Sequence, residues 1–313
     1  MMEISIIIPV FKEEKNVTEL YQRIKDVCLQ NNYKYEIIFI DDASTDKTAE
    51  IIKSLPQVKY IRFRKNFGQT AAMMAGIDYS SGEIIIPMDG DLQNDPQDIP
   101  KLLDKIKEGY DVVSGWRKDR LDNPIKRNLP SRIANILISK ISGLHLHDYG
   151  CSLKAYKKEV IKDVKLYGEM HRFIPIYASW QGGKVTEVPV THHPRIHGES
   201  KYGINRTFKV VLDLMVIKFL QKHSQSSIYI FGGFGLLSIL FSFISFFIMI
   251  YFKIWGGKSF IQTPLPMLVV LFFIVGILSI FMGLIAEILN RTYHESQGKS
   301  VYVVKELKNL EKI

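Results

Sequence analysis

Along the first two-thirds of the chain, short apolar runs alternate with longer stretches whose apolar residues recur every three or four positions. Ser5–Val10, Glu36–Ile40, Lys59–Phe63, Glu83–Met88 and Asp111–Ser114 are short and β-rich. Between them, Glu14–Gln30, Thr45–Ser54, Gln69–Ser80 and Pro96–Lys107 carry the helical period. Strands alternating with helices predict βαβ units and a mostly parallel sheet, an α/β fold. Ligands of such sheets bind beyond the carboxyl ends of the strands, so the residues there are the ones to inspect for function. No GxGxxG follows the first strand and no GxxxxGK[ST] occurs, so the usual dinucleotide and P-loop readings lack support.

The pattern changes in the last third. Ile228–Phe252 and Thr263–Ala286 contain no charged residue. Each run is longer than the roughly 20 residues a helix needs to cross about 30 Å of hydrocarbon. Tyr229, Tyr251 and Trp255 flank the first run, as interfacial aromatics do. The loop Lys253–Gln262 is short, which predicts a hairpin with both chain ends on one side. Lys209, Lys218, Lys222, Arg291, Lys299 and Lys305 lie outside the runs, against Lys253 and Lys258 between them, a mild bias toward cytosolic termini. Asn205–Lys222 places Phe208, Val211, Leu212, Met215 and Phe219 at helical spacing among basic residues. That composition predicts a helix lying on an anionic membrane surface, or one packed on the preceding domain. The expected organisation is a globular domain over 1–204, a juxtamembrane region over 205–226, two spans over 227–290 and a tail over 291–313.

Composition adds little to this picture. The 313 residues carry a formal net charge of +9, which suits nucleic acid, an anionic membrane or phosphorylated substrates without choosing among them. The basic residues gather beside the apolar runs, and no nucleic-acid-binding motif accompanies them, so nucleic acid is not an expected partner. Cys28 and Cys151 form neither a disulfide framework nor a metal knuckle, which fits a reducing compartment. The chain opens on a strand-like run, and no cleavable signal peptide is expected.

Candidate chemistry sits at the strand ends. Asp89, Asp91 and Gln93, in MDGDLQ, follow the fourth strand. In an extended segment residues two apart point the same way, so these three would converge. Two carboxylates and an amide oxygen suit Mg²⁺ or Mn²⁺, with substrate phosphates completing the shell. Such a cation neutralises a diphosphate leaving group. Asp42, in IDDASTD after the second strand, is placed to accept hydrogen bonds from a nucleobase edge, while Thr45 or Asp46 serves equally well as a helix cap. Phe11 and Glu13, in PVFKEE after the first, are placed to meet a base and a ribose; alone, they read better as the start of a Glu-rich helix.

Together these stretches carry a resemblance. IIIPVFKEE, IDDASTDKT and MDGDLQNDP resemble the family 2 glycosyltransferases with the GT-A fold. GWRKDR, LPSRIAN, HDYGCSLKAY and RIHGESKYG are similar to the polyprenyl-phosphate branch, which includes dolichyl-phosphate mannose synthases and bactoprenol glucosyltransferases. The likeness covers residues 1 to about 222, and the two-helix hairpin is most similar to the bactoprenol branch. The resemblance implies that Pro9, Phe11, Glu13 and Asp42 hold the nucleoside, and that Asp89, Asp91 and Gln93 hold the metal and diphosphate. Gly90 stands where alanine is frequent, a change that removes only a methyl. The Q-x-x-R-W motif of processive synthases is absent.

By the same resemblance, Arg117, Arg132, Arg195 and Lys201 lie nearest the acceptor phosphate, with Arg127 a looser candidate. Guanidinium groups grip phosphate in bidentate fashion, which suits a lipid-borne phosphate beside a membrane. Asp148 matches the family's catalytic position, either as a general base or as a group that orients the acceptor and the arginines. His145, His147, His171, His192, His193 and His197 are irregularly spaced and are not expected to form a metal site. Gly232, Gly233, Gly235 and Gly276 would permit close helix packing and a homo-oligomer.

The resulting expectation is an inner-membrane enzyme with a cytosolic domain and cytosolic termini. It would transfer a hexose, best UDP-glucose, to undecaprenyl or another polyprenyl phosphate with inversion. The alternatives are a GDP-mannose-dependent synthase of the dolichyl-phosphate type and a catalytically inactive membrane scaffold.

Overall fold

A computed structural model describes residues 3–118, 135–136, 138–140, 142–162, 164, 170–194, 227–295 and 302–310. The chain divides into two compact units, Met1–Met215 with Ser300–Ile313, and Val216–Lys299.

The first unit is built on one eight-stranded sheet. β1 (Glu3–Val10), β2 (Lys34–Asp41), β3 (Val58–Phe63), β4 (Ile84–Pro87), β5 (Val112–Trp116), β6 (Lys154–Lys157), β7 (Val185–Pro189) and β8 (Val304–Lys308) lie in the order β7-β5-β6-β4-β1-β2-β3-β8. β1 pairs in parallel with β2 and β4, β2 with β3, and β5 with β7. β6 and β8 run against their neighbours. The sheet is therefore mixed rather than mostly parallel at its β4–β6–β5 step.

Helices α1 (Val17–Gln30), α2 (Thr48–Ser54), α3 (Gln69–Asp78) and α4 (Ile99–Lys107) connect the first five strands. β1 is apolar almost throughout because both its faces are covered. Ile4, Ile6 and Ile8 share a core with Leu20, Ile24 and Val27 of α1 and with Ile99, Leu102 and Leu103 of α4. Each such buried side chain stabilises the fold by about 1.5–3 kcal/mol. α3 packs against β1 and β2. Its sequence, QTAAMMAGID, is small or apolar because eight of its ten residues are buried. With β1, β2, β4 and β5 parallel, Val10, Asp41, Pro87 and Trp116 finish at one edge, and the four motif-bearing loops leave from there.

Residues 291–313 read as a tail, yet Val304–Lys308 is the last strand of this sheet. It pairs antiparallel with β3, Tyr60 opposite Lys308 and Arg62 opposite Glu306. β8 needs only one neighbour at the sheet edge, where the charged residues Lys305 and Glu306 are tolerated without an alternating apolar pattern.

The second unit is a hairpin of α5 (Ser227–Ile254) and α6 (Leu265–Glu295). Phe231–Ile254 and Leu265–Ala286 are long and apolar enough to cross a membrane, and most of that surface is exposed. A core helix of a soluble domain would bury it. The helices run antiparallel, with Phe241 against Phe272 at 5.9 Å and Ser242 Oγ donating to the Val269 carbonyl at 2.8 Å. Gly235 and Gly276 sit where they touch: a Cβ on Gly235 would lie 2.7 Å from the Gly276 carbonyl oxygen, and one on Gly276 only 2.5 Å from Ile239 Cγ1. These two glycines thus serve contact within the hairpin. The juxtamembrane stretch 205–226 lies outside the described residues.

Candidate active site

At the end of β2 the paired aspartates take different tasks. Asp41 is fully buried; it accepts from Tyr60 Oη at 2.9 Å and from the Ser44 amide at 2.7 Å, and lies 3.4 Å from Arg62 Nε. It fixes the turn that follows, in which Ala43 takes a left-handed backbone. Asp42 accepts from the amides of Phe67 at 2.6 Å and Gly68 at 2.8 Å, two residues of the loop joining β3 to α3. Burial pushes the Asp42 carboxyl above its ordinary value, the two amides pull it back, and neighbouring Asp41 adds to the rise. Gly68 has φ of 90°, so its amide reaches the carboxylate from a backbone that other residues adopt at a cost.

The loop after β1 is stitched to the same place. The Lys12 amide donates to Ser44 Oγ at 3.0 Å, and the Glu13 amide to Thr48 Oγ1 at 2.9 Å. Asn16 Nδ2 donates to Glu13 Oε2 at 2.7 Å, just ahead of α1. Phe11 is half-buried with the Lys12 ammonium 5.4 Å from its ring centre. Asp46 lies one residue ahead of the N-cap Lys47 of α2 and accepts from the Thr48 amide at 3.2 Å and from its hydroxyl at 2.6 Å, so it steadies the entry to the helix without occupying the cap itself. Thr45 is not the cap either.

The D-x-D segment departs from the extended geometry expected of it. β4 ends at Pro87, Gly90 and Asp91 form a turn, and Leu92 is left-handed with φ of 62°. Strict alternation therefore does not carry Asp89, Asp91 and Gln93 to one side. Asp89 Oδ1 accepts from Gln69 Nε2 at 2.8 Å, and Asp91 Oδ1 from the Gln93 amide at 3.2 Å. Gly90 is pressed against the end of β1. A Cβ there would stand 2.9 Å from Val10 Cγ1, 3.4 Å from the Pro9 carbonyl oxygen and 3.6 Å from Glu13 Cγ. This close approach brings the first and third motifs together.

Among the described residues, no group of three or more His, Cys, Asp or Glu gathers as a metal cage. The carboxylates of Asp89 and Asp91 and the side-chain carbonyl oxygen of Gln93 are hard oxygen ligands close in sequence at a crowded strand end. That fits Mg²⁺ or Mn²⁺ bound through one or two carboxylates plus phosphate oxygens.

Arg117 follows β5 directly. Its Nε donates to Asp148 Oδ2 at 2.7 Å and its Nη2 to Asp148 Oδ1 at 3.0 Å, and the Gly150 amide adds a bond to Oδ1 at 3.0 Å. Asp148 is 3% exposed, so the pair is shielded from water. Burial works against the Arg117 charge, but the Asp148 carboxylate outweighs it and raises the guanidinium further above its ordinary value. Asp89 acts on it in the same direction. The arginine–aspartate pair thus lies within electrostatic reach of the D-x-D motif. Gly150 leaves room for it: a Cβ there would meet Arg117 Nη2 at 3.2 Å and Asp148 Oδ1 at 3.4 Å.

The description "Glycosyl transferase family 2" matches residues 5–165. Dodecaprenyl-phosphate galacturonate synthase of Rhizobium johnstonii is 39% identical over 98% of this chain and 93% of its own length. Undecaprenyl-phosphate 4-deoxy-4-formamido-L-arabinose transferase of Pseudomonas aeruginosa is 33% identical over 96% of this chain and 89% of its own. The chain belongs to the polyprenyl-phosphate glycosyltransferases of family 2. Among solved structures, glucosyl-3-phosphoglycerate synthase of Mycobacterium tuberculosis, in complex with Mn²⁺, uridine diphosphate and phosphoglyceric acid, aligns with a TM-score of 0.56. That alignment covers 70% of this chain and 78% of that one at 14% identity, and it establishes the GT-A fold.

In this glycosyltransferase several site residues escape sequence reading. Gln69, at the start of α3, holds Asp89. Thr70 Oγ1 and His171 Nδ1 meet at 2.7 Å, both buried. Arg172 Nη1 comes within 3.9 Å of where a Gly150 Cβ would be. Lys154, buried in β6, donates to the carbonyls of Tyr149 at 3.2 Å and of Cys151, so its ammonium braces the loop bearing Asp148. Burial pulls the Lys154 ammonium down to about 8. The only signal for these residues in the sequence is their nearness to the motifs, and buried lysine is not an expected strand residue.

The histidines scatter to separate partners. His147 pairs with Glu187 and stacks on Trp116 at 4.3 Å, and His193 Nε2 lies 2.9 Å from Asp95. Both cysteines are buried; burial pushes the Cys28 thiol up to about 12 and the Cys151 thiol up to about 11. Arg127, Arg132, Arg195, His197 and Lys201 lie outside the described residues. Among the described residues, His192 bridges to Asn94 and the His193 amide donates to the Gln93 carbonyl at 2.9 Å, so residues 192–193 lie against the D-x-D loop.

Proposed function

We propose that this enzyme transfers a sugar from a nucleoside diphosphate to a polyprenyl phosphate, with inversion at the anomeric carbon. The observation that carries the reading is the Arg117–Asp148 pair, buried within electrostatic reach of Asp89. Pro9, Phe11, Glu13 and Asp42 form the nucleoside side, with Asp42 fixing the 67–68 backbone that shapes it. Asp89, Asp91 and Gln93 would hold Mg²⁺ or Mn²⁺. A divalent cation there supplies positive charge to the diphosphate as it leaves.

Arg117, with Arg127, Arg132, Arg195 and Lys201, faces the acceptor phosphate in this reading. A guanidinium has five N–H donors. Asp148 takes two side-chain N–H groups of Arg117, and the rest remain for phosphate oxygens. Asp148 then acts by orientation. A phosphate nucleophile with a second pKa of about 6 is already ionised near neutral pH and needs no strong base.

The lipid acceptor gives the hairpin its purpose, because it confines the second substrate to the bilayer. β8, which follows the hairpin in sequence, belongs to the same sheet as β1–β7, which precede it. That connectivity supports both hairpin ends lying on one side of the membrane. Nucleotide sugars are cytosolic, so the domain and termini face the cytosol and the membrane is the inner one.

UDP-glucose is the first donor to test. Relatives named for galacturonate and for 4-deoxy-4-formamido-L-arabinose widen the panel. Purified protein with Mn²⁺ or Mg²⁺ and undecaprenyl phosphate would be offered UDP-glucose, UDP-galacturonate, UDP-4-deoxy-4-formamido-L-arabinose and GDP-mannose in competition. Transfer from a UDP-sugar, lost in Asp91→Asn, is expected. Preference for GDP-mannose would favour the dolichyl-phosphate type, and nucleotide binding without transfer from any donor would favour an inactive scaffold.

A further inference from the structure

We infer that the strand following the membrane hairpin is part of the donor site, with Tyr302 as a positioning residue for the nucleotide-binding loop. The inference rests on the donor-site reading above and adds to it a dependence on the far end of the chain.

Tyr302 is 8% exposed and makes two contacts that lead to the acidic motifs. Its ring stacks on Phe63 with centres 5.3 Å apart and planes 19° apart. Phe63 in turn meets Phe67 edge-on at 5.6 Å, and the Phe67 amide donates to Asp42 at 2.6 Å. The Tyr302 hydroxyl donates to Asp78 Oδ2 at 2.8 Å. Asp78 ends α3, and the other end of α3 is where Gly68 donates to Asp42 and Gln69 to Asp89. One side chain therefore touches both the last residue of β3 and the last residue of α3, on either side of the loop that supplies these bonds.

The neighbouring backbone fixes Tyr302 in that place. The Arg64 amide donates to the Val303 carbonyl at 3.1 Å, Phe63 pairs with Val304, and Asn309 Nδ2 donates to the Val58 carbonyl at 2.9 Å. Arg62, opposite Glu306 in the ladder, donates to the Ser44 carbonyl at 3.0 Å and lies beside Asp41, so the pairing of β8 also bears on the turn after β2. A loop held by backbone amides is only as well placed as the elements at its two ends.

The test is calorimetric titration of the full-length protein in detergent with UDP and, separately, GDP, each with Mn²⁺, alongside thermal unfolding. Tyr302→Ala is expected to weaken the nucleotide that wild type binds by about three- to tenfold, the range an aromatic contact of this kind is worth. The KM for lipid acceptor should stay unchanged. Tyr302→Phe keeps the stack but loses the Asp78 bond, so its affinity should fall between those of wild type and Tyr302→Ala. Asp78→Ala leaves β8 intact and should weaken nucleotide in the same direction, which keeps the test valid if Tyr302→Ala does not fold. Lowered melting temperatures with unchanged nucleotide affinity in these variants would overturn the inference and leave β8 a purely structural strand. Wild-type protein that binds neither nucleotide would overturn the donor-site reading itself, and this inference with it.

Discussion

Arg117 holds Asp148 at two points, Nε to Oδ2 at 2.7 Å and Nη2 to Oδ1 at 3.0 Å, and both side chains are largely withdrawn from water. The fork matches the carboxylate edge to edge, so the arginine's remaining donors have a fixed direction. Neither residue is replaceable by charge alone.

Asp148→Asn keeps the shape and removes the charge. Breaking a buried pair of this kind costs about 3–5 kcal/mol of folding stability, and with the guanidinium no longer held in place turnover should fall by about 100-fold with donor affinity intact. Arg117→Lys keeps a charge but loses the fork, and it should fall by a similar factor. The double variant should be little worse than either single one, because the two act as a unit. The pH–rate profile separates the roles of Asp148. Orientation predicts that the residual activity of Asp148→Asn keeps the wild-type profile, whereas a general base predicts loss of the acidic limb.

Gly90→Ala should destabilise the domain even though alanine is frequent at this position in the resembling family. The new methyl would stand 2.9 Å from Val10 Cγ1, and Val10 is a stiff β-branched side chain, 2% exposed. Overpacking of this sort costs about 1–3 kcal/mol. Denaturant unfolding of Gly90→Ala, Val10→Ala and the double variant checks it. The double variant should be more stable than the sum of the single losses.

Lys154 gives stability a dependence on alkaline pH. Its folded value is about 8 against an ordinary 10.5, because burial disfavours the charged form. The folded state therefore releases this proton first. The lysine's contribution is fully present above pH 10.5 and is lost as pH falls through about 8. Relative to Lys154→Met, wild-type stability should rise by about 3 kcal/mol across that window, at about 1.4 kcal/mol per pH unit. Paired unfolding curves at both ends of the window measure it, and parallel curves would contradict it.

Much of this arrangement is legible in the residues, and the exceptions have physical causes. The first five strands are apolar runs punctuated by turns, and they announce themselves. β6 reads KAYK and β8 reads VKELK. Lys154 is tolerated in the interior because two loop carbonyls accept its hydrogen bonds, and β8 needs just one face and one edge. No local pattern encodes either circumstance. Asp41 and Asp42 are adjacent and chemically alike, and only the sheet shows that one anchors a turn while the other holds the 67–68 backbone. The D-x-D motif stands just past the end of a strand, as expected, but the left-handed Leu92 breaks the alternation from which its geometry is first drawn. Gln69, Arg172 and Tyr302 come to the site through tertiary packing, which local periodicity does not report.

The account turns on the acceptor being a lipid-borne phosphate. The most direct measurement offers labelled nucleotide sugar and Mn²⁺ to the purified protein with undecaprenyl phosphate or with undecaprenol, the same chain without its phosphate. Label is expected in the phosphate-bearing lipid alone, as an acid-labile sugar phosphodiester of inverted anomeric configuration, and is expected to be lost in Arg117→Ala. Label in undecaprenol at a comparable rate, or undiminished transfer in Arg117→Ala, would contradict it.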